Sequence, residues 1–406
     1  MEFWVVENYA DFPNSSRDCE TEIVGALSSA AAWHIKYPAM KIPQTRREFL
    51  ELAAGAIAAR FSQSQPSPRR ITTLAGTGVQ GLAANGDLVD HTMLNNPVGL
   101  VIGPDGALYW VEYGSHQLLR LDLRSKKISV LAGTGTKGYS GDGRLATAAQ
   151  LNTPHELRFD TKGNIYIAER DNHTVRFIDM KSKTISTAAG TGERGFSGDG
   201  GPSSKAQLAQ PHSIALDRTD NIYICDIMNN RVRKIDARTG TITTFAGTGE
   251  RADTPAAASL DGTPLAGPRS IDITPDGKMY LVLREGNRVF EVDVVRRQLK
   301  LVAGTGEMGY SGDGGDAVFA KFNGPKGIAY SPEGALYISD TENHVIRRID
   351  LRNGMISSVV GTGQRGDGPD GDPLTCKLAR PHGVFIHGRT LYVGDSENHR
   401  IRTMQL

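Results

Sequence analysis

The phrase Ala-Gly-Thr-Gly begins at Ala75, Ala132, Ala189, Ala246 and Ala303, and returns with Val360 in place of Ala. Each start lies 57 residues after the one before. A fixed period of this size is the mark of a repeat architecture, in which each unit buries its apolar face only against its neighbours. The repeat also lets one sequence serve as its own alignment. Equivalent positions can be compared across six copies, and what every copy needs separates from what only some possess.

One period shows the unit. Residues 189–245 contain a glycine-rich loop, a helical turn near Ser204–Leu208, and four short strands. The strands are expected at Ser213–Asp217, Ile222–Asp226, Arg231–Asp236 and Thr241–Phe245, separated by Asp/Asn/Gly turns. Such a sequence predicts a four-stranded antiparallel meander. Packed radially, six of them make an all-β, six-bladed propeller. The chain ends after a third strand, and the missing fourth strand is expected at Arg70–Ala75. The N-terminal strand would thus close the last blade and remove an exposed sheet edge.

The 406 residues carry 46 Lys/Arg against 45 Asp/Glu, a formal charge of +1. A nucleic-acid partner needs a concentrated basic surface, so none is expected. Three cysteines show no paired spacing and give neither a disulfide framework nor a cysteine metal site. The propeller accounts for residues 70–406. Residues 40–69 read as an export signal and linker: Thr45-Arg46-Arg47-Glu48-Phe49-Leu50 resembles the twin-arginine motif, and the short apolar stretch Leu52–Ala59 follows. That stretch is too short to span a bilayer. The layout predicts a start at Met40, a periplasmic or extracellular destination and no membrane span. Residues 1–39 remain an unassigned extension.

Several stretches carry a family resemblance. Pro381-His382-Gly383-Val384, Leu391-Tyr392-Val393-Gly394-Asp395 and Asn398-His399-Arg400-Ile401-Arg402 resemble the elements of the NHL repeat. The resemblance recurs six times over about residues 70–406 and implies the propeller fold. It leaves the function open, because such propellers bind proteins, RNA or sugars, and some catalyse.

Most repeated residues have structural work. The tyrosines ending at Tyr109, Tyr166, Tyr223, Tyr280, Tyr337 and Tyr392 should pack between blades. An acid follows three residues later in five copies (Glu112, Glu169, Asp226, Asp340, Asp395), and Arg176, Arg233, Arg347 or Arg402 lies seven residues beyond in four. Blade 4 replaces both members, with Leu283 and Phe290. The joint replacement predicts contact between the two positions, since an unpaired buried charge is costly. Loops of the form Gly-Tyr/Phe-Ser-Gly-Asp-Gly occur three times. Their Asp142, Asp199 and Asp313 either cap the following turn or help hold a hard cation; a single carboxylate per loop favours capping.

Chemistry is expected where the copies disagree. One residue after the first-strand Pro faces the channel mouth in each blade: Val98, His155, His212, Arg269, Lys326 and His382. Tyr113, Arg170 and Arg284 should stand beside them. Three readings are open for this ring. The histidines cap loop carbonyls, or His155, His212 and His382 bind zinc or another divalent metal, or the cations accept an anion. The Pro-His steps resemble those of the peptidylglycine (peptide-amidating) lyase branch of NHL proteins, which implies zinc in the channel. The spacing departs from that branch, because the histidines sit in blades 2, 3 and 6, and Arg269 and Lys326 would repel a cation. No Gly-x-Ser-x-Gly or His-Glu-x-x-His occurs, and no catalytic set is complete. The expected function is a monomeric, exported binding module for a protein, peptide or glycan at its loop face. A metal-dependent lyase or hydrolase is the alternative.

Overall fold

The computed structural model describes residues 69–406. The twin-arginine motif, the apolar stretch after it, Met40 and residues 1–39 lie outside the described residues.

Six sheets follow one another around an axis. In blade 3 the strands are Pro211–Leu216, Ile222–Asp226, Arg231–Ile235 and Ile242–Ala246, in sequence order across the sheet. The expected strands fall within two residues of these. The helical turn is shorter than expected, a 3-10 turn at Ser203–Lys205. The last blade orders Ile71–Ala75 against Arg400–Gln405, then Thr390–Asp395 and Gly383–His387. Closure by the N-terminal strand is therefore as expected, with Ile71 opposite Met404. Blade 4 differs from its siblings in one respect: Ala257–Ser259 adds a fifth, outermost strand against Gln298–Ala303. The sequence there, Arg251–Ala266, lacks the glycine-rich loop, and the added strand takes its place.

The Ala-Gly-Thr-Gly phrase has a steric origin. Its first glycine holds a positive φ in every copy, as in Gly133 at 88°. A Cβ there would lie 2.1 Å from the carbonyl oxygen of His116, and the same clash recurs at the equivalent positions. The chain leaves its fourth strand by passing directly over the turn between strands two and three, which only glycine permits.

Apolar side chains of adjacent sheets interdigitate to form the core. Tyr109 meets Phe159 of the next blade edge to face, with ring centroids 4.9 Å apart, and Tyr280 stacks on Tyr330 of the next blade. Five of the six tyrosines are buried; Tyr166 is half-buried and turns instead to Phe177 of its own blade.

The acid and Arg positions meet diagonally across strands two and three. Arg176 lies 3.0 Å from Glu169, Arg402 2.7 Å from Asp395, and Arg233 and Arg347 each 3.6 Å from their acids. All four guanidiniums are buried. In blade 4, Leu283 and Phe290 pack together in the apolar core. Glu112 has no Arg; Trp110 Nε1, Ser115 Oγ and the Asn95 N–H donate to it instead. Burial pushes its carboxyl up to about 7, against the pull of those donors.

The glycine-rich loops require a correction. Asp142, Asp199 and Asp313 cap no helical turn; neither Leu145 nor Pro202, the residues at the cap positions, makes a side-chain cap bond, and Asp316 caps the turn of the third loop. Each loop is a receptor for the buried Arg of the following blade. Asp142 accepts from Arg176 at 2.6 Å, Asp199 from Arg233 at 2.6 Å and Asp313 from Arg347 at 2.7 Å. The loop serine carbonyls Ser140, Ser197 and Ser311 also accept from these guanidiniums. Tyr139, Phe196 and Tyr310 cover them, with ring centroids 5.1, 4.8 and 5.3 Å away. Capping would have satisfied one or two N–H groups. Pairing with a desolvated guanidinium is the stronger demand.

Candidate functional site: the channel mouth

The chain enters every first strand through a residue with positive φ: Asn96, Thr153, Gln210, Gly267, Gly324 and Arg380. Pro follows in each copy. The left-handed residue turns the backbone inward, so the residue after Pro points to the axis. Four of these entry N–H groups are held by a histidine of the preceding blade. His116, His173, His344 and His399 accept through Nδ1 from Thr153, Gln210, Arg380 and Asn96 at 3.1–3.3 Å. Asn287 does the same for Gly324 through Oδ1 at 2.9 Å. These latches fix each blade to the next around the site, and three of the entry residues they hold, Asn96, Gln210 and Arg380, line it.

All six expected ring residues line one cavity of about 410 Å³, together with Tyr113, Arg170 and Arg284. Beneath it the channel is nearly filled, leaving about 10 Å³ between first-strand residues such as Ser270, Gly327 and Gly383. Gly99 shows how close the strands come: a Cβ there would lie 2.9 Å from Glu156 Cα. The site is a blind pocket with a floor.

The histidines converge. The His155 and His212 ring centroids are 4.8 Å apart, and those of His155 and His382 6.2 Å. Desolvation by burial holds all three well below the usual histidine value, and nearby cations add to it, Arg269 for His155 and His212, Lys326 for His382. They are neutral, and their partners define their protons. His212 Nδ1 lies 2.7 Å from the Gln210 carbonyl and so donates, leaving Nε2 a bare acceptor. Arg269 Nη2 donates to His155 Nε2 at 3.1 Å, and Lys326 Nζ to His382 Nε2 at 3.1 Å.

This donor set does not fit a divalent cation as it stands. Two of the three Nε2 lone pairs already receive side-chain cations, and among the described residues no group of three His, Cys, Asp or Glu is arranged to hold a metal. Only His212 shows the carbonyl bond of the capping reading.

The cations divide into two halves. On the side of blades 5 and 6, Lys326 Nζ donates to Glu342 at 2.9 Å. Arg380 grips Glu342 with two bonds of 2.7 and 2.8 Å and Glu397 with one of 2.7 Å. Burial would raise the Glu342 carboxyl, but Arg380 and Lys326 bring it down to about 2. Desolvation lowers Lys326 to about 7 despite Glu342. On the other side, Arg284 pairs with Glu285, and Arg170 donates to Tyr113 Oη at 2.8 Å and lies 3.4 Å from Asp171. Arg269 stands apart. It is 3% exposed, no carboxylate lies within ion-pair distance, and its partner is His155. Glu156, a nearby half-buried acid paired with Arg158, supports the Arg269 charge from beyond ion-pair distance. Burial lowers the Arg269 guanidinium to about 10.

Sequence reasoning located the ring and missed its counter-charges. Asp171, Glu285, Glu342 and Glu397 occupy one position of the internal alignment, two residues after the strand-two acid or its replacement. Arg380 occupies the entry position before Pro. Both signals were present in the 57-residue comparison.

A teneurin NHL domain model matches residues 276–380. The chain is 28% identical to protein SUPPRESSOR OF QUENCHING 1, chloroplastic, of Arabidopsis thaliana over 306 residues, covering 71% of this chain and 28% of that protein. It is 25% identical to NHL repeat-containing protein 2 of Homo sapiens over 300 residues, covering 66% and 41%. It is 27% identical to teneurin-1 of Gallus gallus over 384 residues, covering 83% and 14%. The chain thus spans less than half the length of these relatives. Among solved structures, an auxiliary nutrient binding protein from Bacteroides thetaiotaomicron superposes with a TM-score of 0.62 at 18% identity, covering 83% of this chain and 76% of that one. An identity that low shows a shared fold.

Proposed function

Taking as given that the chain is an NHL-repeat six-bladed propeller, we propose that it is a binding module outside the cytoplasm whose channel mouth receives an anionic group of its ligand. The observation that carries this reading is Arg269, a buried guanidinium at the floor of an open pocket with no carboxylate partner. An unpaired buried charge is costly, and a fold that retains one at a cavity wall is poised for an opposite charge from outside. Neutral histidines around it accept from the cations and leave the pocket's positive charge intact. The rest of a protein, peptide or glycan ligand would lie on the loop face. A nutrient-binding protein on the same fold makes such use of a propeller familiar. Export by the twin-arginine route is part of the same proposal and rests on Arg46-Arg47 and the apolar stretch after them.

The test pairs acidic with neutral ligands of matched size, a uronate oligosaccharide with its neutral counterpart and an acidic with a neutral peptide. Calorimetric titration is expected to show binding of acidic members to the native protein, and loss of at least tenfold in affinity in Arg269→Met, since a charge-assisted bond contributes about 1.5–3 kcal/mol. Equal binding by the two proteins would refute the reading. The alternative, a metal-dependent lyase or hydrolase, has the convergence of the three imidazoles in its favour. A stoichiometric metal found by elemental analysis and lost in His155→Ala would favour it.

A further inference from the structure

The two halves of the pocket present different chemistry, and together they specify more than an anion. Around His212 stand three guanidiniums, Arg269, Arg170 and Arg284, each close enough to depress its basicity. Two carboxylates, Glu285 and Asp171, lie against two of them, which leaves one formal positive charge for a ligand. A planar guanidinium matches a carboxylate through two parallel bonds. Opposite, Lys326 and Arg380 each have a carboxylate in Glu342 and Glu397, and the exposed Arg365 also pairs with Glu397, so the polar atoms of that half are already engaged.

His212 adds a second requirement. Its Nε2 is a bare acceptor at the pocket wall, because Nδ1 carries the proton for Gln210. A ligand must bring a donor to it. An ammonium there would face three guanidiniums, so an uncharged hydroxyl is the donor that the electrostatics allow. Glu397 at the rim also accepts. Tyr113 gives this half an aromatic wall, its ring 5.9 Å from that of His155.

We infer that the pocket binds a monoanionic, polyhydroxylated carboxylic acid of the uronic-acid class. Its carboxylate lies against Arg269 and a neighbouring hydroxyl donates to His212 Nε2. The inference rests on the anion reading above and narrows it. The cavity, about 410 Å³, falls within the range of small-ligand sites, roughly 300–1,000 Å³.

The experiment titrates the full chain calorimetrically with D-glucuronate, D-glucose, propionate and L-alanine. Glucuronate is expected to bind tightest, with propionate weaker by roughly three- to tenfold, the worth of a hydrogen bond, and glucose and alanine weaker still. His212→Phe should bring glucuronate down to the level of propionate and leave propionate unchanged. Arg238→Met, an exposed arginine outside the pocket, should retain glucuronate binding within about threefold, and its ellipticity reports whether it folds. Equal binding of propionate and glucuronate, or of alanine and glucuronate, would overturn the hydroxy-acid inference while the anion reading stands. Binding of glucose equal to glucuronate, undiminished in Arg269→Met, would overturn both. So would the absence of carboxylate binding in the native protein.

Discussion

Arg347 and Arg269 are both buried guanidiniums, at 0% and 3% exposure, and they live in opposite company. Arg347 has Asp340 on its own blade, Asp313 and a serine carbonyl from the preceding loop, and Tyr310 over its face. Arg269 has one imidazole and open space. The first is a rivet between a blade and the loop that leads into it; the second has no carboxylate within ion-pair distance. Burial alone does not separate a structural arginine from a functional one. The inventory of carboxylates around it does.

Breaking the rivet should have the largest effect. Arg347→Met leaves Asp340 buried without its cation and is expected to cost about 3–5 kcal/mol, read from urea unfolding. Asp395→Ala should cost less, since Arg402 keeps Asp367 at 2.6 Å and Asp370 at 3.3 Å. The next effect tests whether charge is needed there at all. Asp340→Leu combined with Arg347→Phe copies the Leu283/Phe290 pair of blade 4, and should recover about 1–3 kcal/mol of the single-mutant loss as a coupling energy. No recovery would mean that blade 4 tolerates its apolar pair for reasons of its own.

Acid should loosen the latches around the pocket. Burial lowers the histidine values of His116, His173, His344 and His399, so the unfolded chain binds protons that the folded chain refuses. Their contribution is therefore complete above the unfolded value near 6.5 and is lost as pH falls below it. Each latch adds at most about 1.4 kcal/mol per pH unit to that slope. Replacing all four by Asn, as at Asn287, keeps a side-chain acceptor without titration and should flatten unfolding free energy against pH between about 6.5 and 5. An unchanged slope would assign the acid sensitivity to the ring histidines, whose values burial also lowers.

The smallest effect completes the contrast. Arg269→Met removes a desolvated charge that no carboxylate pairs at ion-pair distance, so unfolding free energy should change by less than about 1 kcal/mol or rise. A loss as large as that of Arg347→Met would make Arg269 structural.

Much of this was readable from the repeat. The strand count, the closure by Ile71–Ala75, the diagonal acid–Arg pairs and the six ring positions all follow from one period compared with another. The loop aspartates were not readable as Arg partners, because Asp142 and Arg176 are 34 residues apart in one repeat. Local chemistry offers a cap next to the Asp; only the folding of the loop back onto its blade's fourth strand brings the guanidinium. Glu342 and Glu397 were legible in principle, as an acid column two residues past strand two. They were passed over because a turn carboxylate usually faces solvent, whereas here Arg380 draws both inward. The metal reading set three histidines against the repulsion of Arg269 and Lys326, but the hydrogen bonds those cations make to the ring were not legible. Arg269 and Lys326 donate to two of them, and a histidine's role depends on what already occupies its lone pair.

The most direct test of the central claim is the unfolding temperature of the native protein, Arg269→Met and the exposed-site control Arg238→Met against rising D-glucuronate. A ligand bound only by the folded state raises that temperature with the logarithm of its concentration. The expected result is a rise for the native protein and Arg238→Met and a flat line for Arg269→Met. An equal rise in Arg269→Met, or none in any of the three, would contradict the assignment of Arg269 as the anchor of a bound anion.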